Sequence, residues 1–181
     1  MNVAEYASNI LPSQLQALLN MVPNVPENQA LYEALQSMVN APQKLIRPFT
    51  YSAVYAVAGA ANSLAAAAAN VPANIQIGAD ADFLILNQTW FANTLNAAMT
   101  AASQPVPNIS VIISDTASAQ QMSDVAVPIG SIFGTGRQPY ILPVPKLIAA
   151  SAMMTTMVNN FDAAAGYNLW LNFNGLKIYK S

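Results

Sequence analysis

Short runs of aromatic and β-branched residues, each closed by glycine, proline, asparagine or aspartate, follow one another from Pro48 to the end of the chain. Phe49, Tyr51, Val54, Tyr55 and Val57 form the first run, and Ile75 and Ile77 flank Gln76 in the alternation of a half-buried strand. Phe83 to Trp90, Ile109 to Ser114, Val125 to Ile129, Tyr140 to Val144, Ala152 to Val158, Tyr167 to Phe173 and Leu176 to Tyr179 continue the series. Asn174-Gly175 offers the positive-φ residues of a tight turn just before the last strand. With no long amphipathic helix between them, these runs predict a mainly β fold, an antiparallel β-sandwich or jelly roll, over residues 48–181.

Before Pro48 the pattern is helical, and residues 1–47 read as a short α-helical N-terminal arm. Ser13 with Gln16 at the third position forms a capping box, and Leu15, Leu18 and Leu19 then share a face until Pro23 and Pro26. A second helix opens near Glu27 or Asn28, carries Leu31, Leu35, Met38 and Val39 on one side, and cannot pass Pro42. Helices below about 12–15 residues are marginal alone in water. Their apolar faces must therefore dock, either on the chain's own sheet or on a neighbouring subunit. The second alternative makes Leu15, Leu18, Leu31 and Leu35 candidate interface residues.

Two segments do not follow the strand pattern. From Ala56 to Asn70 the residues are mostly alanine, asparagine, serine and glycine. Propensity alone makes Leu64 to Ala69 helical, while a turn followed by a strand of small side chains is equally compatible. Thr94 to Ser103 reads as a helical insertion or a long loop ending at Pro105 and Pro107.

The chemistry open to this chain is narrow. It has no cysteine and no histidine, so disulfides, thiolate nucleophiles, imidazole bases and the commonest metal ligands are all missing. Only 6 basic and 8 acidic residues are present, 8% charged in all, against roughly a quarter in ordinary soluble domains. The basic residues are scattered and the net charge is −2, which disfavours direct nucleic-acid binding. Phe49 to Ala69 is interrupted by Thr50, Tyr51, Ser52, Asn62 and Ser63 and is too rich in alanine to span a membrane. The first residues lack the basic start and apolar run of a signal peptide, so we expect the mature chain to begin at or near Met1. Of a membrane protein, a subunit buried in a larger assembly and a surface made soluble by neutral polar groups, the assembly subunit accounts best for so little charge, since neutral contacts avoid the desolvation cost of buried ions.

Gly134-Thr135-Gly136-Arg137 looks like a phosphate-binding turn, but three prolines, Pro139, Pro143 and Pro145, follow within seven residues. A phosphate loop should open a helix, and this segment cannot. We expect a turn, with Gly134 and Gly136 free to take positive φ, leading into an edge strand. Arg137, Pro139 and Tyr140 are then candidate contacts at a subunit boundary, the guanidinium bracing a carboxylate or carbonyls. Asp80 and Asp82 are spaced for a calcium ion but lack an acidic partner nearby, so they read as loop residues. Asp115 reads as a turn cap rather than an acid catalyst. Trp90, Phe91, Phe161, Tyr167, Trp170 and Phe173 read as core or interface aromatics. No catalytic residue, cofactor or metal site is expected.

Taken together, Ile77-Gly78-Ala79-Asp80-Ala81-Asp82-Phe83-Leu84, Ile112-Ile113-Ser114-Asp115-Thr116, Val127-Pro128 with Ile132-Phe133-Gly134-Thr135-Gly136, Pro139-Tyr140-Ile141-Leu142-Pro143-Val144-Pro145, Tyr167-Asn168-Leu169 and Phe173-Asn174-Gly175-Leu176-Lys177-Ile178-Tyr179 resemble small β-sandwich virion proteins of tailed bacteriophages. The resemblance runs from Phe49 to Tyr179, and the helical arm and the alanine-rich segment depart from it. It implies a non-enzymatic structural protein of the particle: a decoration or cement subunit that contacts the major capsid protein or other virion subunits and forms homo-oligomers. The alternatives are a tail, collar or fibre-base protein, or a sugar- or receptor-binding sandwich module. The implied location is the virion, assembled in the host cytoplasm, where absence of cysteine fits a reducing compartment.

Overall fold

The computed structural model describes residues 12–22, 25–40, 46–56, 63–94, 107–116, 118 and 120–179. Helix α1 (Pro12–Met21), a 3-10 turn (Pro26–Asn28) and α2 (Gln29–Asn40) come first. They lead to β1 (Ile46–Tyr55), β2 (Val71–Gln76), β3 (Ala81–Thr94), β4 (Ile109–Asp115), β5 (Gln120–Gln121) and β6 (Val127–Pro128). A single helical turn, α3 (Ile129–Ile132), precedes β7 (Tyr140–Ile148), β8 (Met153–Asn160) and β9 (Tyr167–Tyr179). One sheet has the order β1-β9-β3-β7 and the other β2-β8-β4-β5, with β6 also pairing with β4. Every one of these pairings is antiparallel, and the two sheets pack as the β-sandwich that the sequence predicts.

Alternation along the strands builds the interior. Tyr55, Phe83, Ile85, Trp90, Leu171 and Phe173 from the first sheet meet Ile75, Val111, Ile113, Met154 and Val158 from the second in one continuous cluster. Each such side chain contributes about 1.5–3 kcal/mol when fully buried. The Tyr55 hydroxyl is buried too, 3.0 Å from the Thr156 carbonyl and 2.6 Å from its Oγ1. Burial pushes its pKa far above the usual tyrosine range, against a smaller opposing effect of the Thr156 bond. Prolines sit where a missing ladder donor is tolerated: Pro48 in β1 and Pro143 and Pro145 in β7, both edge strands.

The helical arm docks in cis. Leu19 and Val22 of the α1 region and Leu31 and Leu35 of α2 pack on Ile46, Leu84, Leu176 and Ile178, which project from the outer face of the first sheet. Strand β1 already starts at Ile46, inside the residues assigned by sequence to the arm, because Ile46 pairs with Ile178 and closes this second apolar cluster. Helix α1 begins at Pro12, so Ser13 lies in its first turn instead of preceding it as a cap; a proline there loses no intrahelical hydrogen bond.

Two local expectations are corrected, and one open alternative is decided in favour of a turn. Asn174-Gly175 is no hairpin turn, since β9 runs through it as one 13-residue strand. The irregularity lies in the partner: the β3 register shifts between Ile85 and Asn87, and a Cβ at Gly175 would collide with the Leu84 carbonyl. Glycine is needed there for close approach of two backbones. Leu64 to Ala69 is not helical; Leu64 is fully buried, and Ala67 and Asn70 take positive φ of 53° and 52°. Tertiary hydrogen bonds override its propensity: Tyr167 N donates to Leu64 O, Ala67 N to Asp162 O, and Asn160 N to Ala68 O. Val125 to Ile129 yields only the two-residue β6 before α3, because here the chain leaves β4 of the second sheet and reaches the first, where Gly134 bridges to Thr89. The segment Thr94 to Ser103 lies, beyond Thr94, outside the described residues.

Candidate functional site

Strand register arranges the outward side chains of the first sheet in rows across β1, β9 and β3. At one end Pro48-Leu176-Leu84 is an apolar row, Ile46-Ile178 beside it ends at Asp82 on β3, and the helices pack against the apolar members. Beyond it come Thr50-Asn174-Asn87, Ser52-Asn172-Thr89, Val54-Trp170-Phe91 and finally Asn168-Asn93. No charged residue occurs in these four rows. Thr50 Oγ1 donates to Asn174 Oδ1 at 2.8 Å, Ser52 Oγ to Asn172 Oδ1 at 2.7 Å, and Asn174 Nδ2 to Asn87 Oδ1 at 2.8 Å. The amide nitrogens of Asn172 and Asn87 have no acceptor among the described residues. Phe91 and Trp170 stand 5.5 Å apart with ring planes at 53°, and Phe91 and Val54 are 40% and 41% exposed. Ile141, opposite Asn87 on the edge strand β7, is 70% exposed. Uncovered by any other described element, this strip is an aromatic step beside a neutral hydrogen-bonding surface. The buried Asn93 Oδ1 at its far end has no partner among the described residues.

The outward face of the second sheet is equally free of charge. It presents Pro72, Asn74 and Gln76 from β2, Met153, Thr155, Met157 and Asn159 from β8, and Ser110, Ile112 and Ser114 from β4. Neutral cross-strand bonds link them: Thr155 Oγ1 to Asn74 Oδ1 at 2.9 Å and Asn159 Nδ2 to Ser110 Oγ at 3.2 Å.

Charge is placed elsewhere, mostly at strand ends, loops and helices. Lys177 Nζ lies 3.4 Å from Asp80 Oδ1 and 4.6 Å from the centre of the Phe49 ring, with Tyr51 also near. Burial pulls the Lys177 pKa down, but hydrogen bonding and the charges of Tyr51 and Asp80 together hold it above its ordinary value. Asp82 accepts from Ala150 N at 2.7 Å, so the two aspartates serve different partners. Asp115 accepts from Ser118 Oγ at 2.6 Å, consistent with the expected turn role. Between β8 and β9, Asp162 accepts from the Tyr167 hydroxyl at 2.6 Å and from the amides of Ala164 and Ala165. Those bonds, Tyr167 first, hold its carboxyl below the usual range, while burial and Asp162 push Tyr167 up to about 12. Among the described residues no group of three potential metal-binding side chains comes together.

The residues singled out from sequence fall in two places. Leu31 and Leu35 are 6% and 0% exposed against the chain's own sheet, so these two side chains are not on the monomer surface; those of Leu15 and Leu18 lie outside the described ones. Arg137 and Pro139 are exposed on the approach to β7, and Tyr140 packs against the main core. Gly134 and Gly136 are not in the left-handed region. Gly134 is instead required for close approach, because a Cβ would meet the Gln138 carbonyl and Tyr140 amide, whereas nothing lies within 4 Å of one at Gly136.

The open strip was missed, although its signal exists. Asn168, Trp170, Asn172 and Asn174 are two apart in one strand and must share a face, and adjacent Trp90 and Phe91 must point to opposite faces. No family model matches the chain, and no curated protein matches it either. Among the described residues no helix is long and apolar enough to cross a membrane.

Proposed function

We propose that this chain is a non-enzymatic structural subunit of a phage particle, a capsid-associated decoration or cement protein held by contacts to neighbouring coat subunits and to copies of itself. The observation that carries this reading is the charge-free outward face of β2, β8 and β4, where ten alternating positions hold only neutral side chains. Monomeric surfaces normally carry interspersed charge for solubility. A neutral face with Met157 36% exposed and Ile112 beside it suits burial against another protein, since no ion has to be desolvated. The edge at Arg137 and Pro139 adds a directed polar contact.

A cryo-EM reconstruction of particles from cells producing the protein tests this. The protein should occupy regular positions on the shell with the β2-β8-β4 face against a neighbour. Recovery of all of it in the particle-free fraction, or a position with that face in solvent, would overturn the proposal. Density on a tail, collar or fibre base would move the subunit to that station.

A further inference from the structure

Beyond the assembly role, we propose that the uncovered strip on the first sheet binds an uncharged oligosaccharide, with Trp170 and Phe91 stacking on a sugar ring and Asn172 and Asn87 donating to its hydroxyls. Three observations converge. The first is chemical: the Phe91-Trp170 pair and Val54 offer an apolar step, and the electron-rich ring faces attract the C–H side of a pyranose. Directly beside it, in the next two rows, two carboxamides keep N–H donors without acceptors among the described residues, the group that a hydroxyl oxygen accepts from.

The second is charge. Rows Thr50-Asn174-Asn87 through Asn168-Asn93 contain no ionisable side chain. Sulfated or carboxylated glycans, and nucleic acids, would find no counter-charge there, so the matching ligand is neutral.

The third is area. Three strands at about 4.8 Å spacing and seven residues at about 3.3 Å rise give a strip roughly 14 by 20 Å, about 300 Å². A stable protein interface needs about 800 Å² from each partner. Taken by itself the strip is smaller than a stable protein interface and is sized for a short oligosaccharide lying along the strands.

Maltotriose, cellotriose and chitotriose serve as neutral probes, with a sulfated heparin tetrasaccharide as the charged control. Calorimetric titration of the wild-type protein is paired with Trp fluorescence of a Trp90→Phe variant, in which Trp170 is the remaining indole. At least one neutral probe should bind saturably, and Trp170→Ala and Asn172→Ala should each weaken it about 2- to 10-fold while remaining folded. Thr155→Ala, on the opposite sheet, should leave the affinity unchanged. The proposal is overturned by equal affinity in all variants, by binding of the sulfated probe alone, or by no saturable binding of any neutral probe. Concentration-dependent dimerisation that disappears in Trp170→Ala would equally overturn it and make the strip a homotypic interface.

Discussion

The two halves of the outer face of the β1-β9-β3 sheet are built on the same strands and differ in what faces outward. At the helix end, Ile46, Leu84, Leu176 and Ile178 are all at most 7% exposed because Leu19, Val22, Leu31 and Leu35 lie on them. At the other end asparagine, threonine and serine alternate with one aromatic row, and among the described residues nothing packs over this half. The covered half must be covered: a sheet face of leucine and isoleucine in water is an aggregation surface. The open half tolerates water because its amides and hydroxyls bond one another across strands. The oligosaccharide proposal is therefore tested on the open half, and stability on the covered one.

The sharpest break in that comparison should come from Leu35, which is fully buried between the helices and the sheet. We expect Leu35→Ala to lower unfolding free energy by about 2–5 kcal/mol, measured by urea titration. Trp170→Ala on the open half should cost clearly less, since it removes a ring that is only partly buried. If the two costs are equal, the helices are not what holds the covered half.

At the junction of the halves stands Gly175. Gly175→Ala forces a Cβ into the Leu84 backbone, and because the obstacle is main chain, β3 and β9 must separate. A loss of about 1–3 kcal/mol is expected, with Gly136→Ala, which meets nothing, as the neutral reference.

The same position shows what the sequence could convey. Strand identity and the two-layer architecture were legible because alternation and turn residues are local properties. Asn174-Gly175 was misread because the dipeptide looks alike whether it turns a hairpin or lies opposite a bulge; the bulge sits in β3, some ninety residues away. Leu64 to Ala69 was ambiguous for a related reason: its partners, Asp162, Asn160 and Tyr167, are remote in sequence. Helix faces were readable at Leu31 and Leu35, but not the surface they would meet. For the open strip, one-face alternation in β9 was visible, whereas the meeting of Trp170 with Phe91 and Val54 depends on register, which no single strand encodes.

Within the open half, Asn174 is the bonding hub, joined to Thr50, Asn87 and, at 3.4 Å, Thr89. Asn174→Ala should cost about 1–2 kcal/mol, less than the covered-half variant, because water can replace part of what is lost. Asn174→Asp keeps the acceptor and puts a charge on the strip. It should reduce neutral-oligosaccharide binding more than it reduces stability, which a titration and a urea melt on the same sample would separate.

The smallest effect expected is with pH, and it should bypass the open half altogether, since those rows hold nothing that titrates. Asp162 binds its proton less tightly in the folded chain than in the unfolded one, so its contribution is complete above 3.8 and is lost as pH falls below that value. Tyr167 behaves oppositely. Its pKa rises from 10.0 to about 12 on folding, so its contribution is complete below 10 and is lost as pH climbs through about 12. Lys177, also raised above its ordinary 10.5, declines on the same alkaline side. Melting temperature against pH should thus fall at both ends. Tyr167→Phe should flatten the alkaline limb and soften the acid one, because the hydroxyl that holds Asp162 ionised is gone. Asn174→Ala should lower the whole curve without changing its shape, and a changed shape would mean that the open half is electrostatically coupled to the β8–β9 loop.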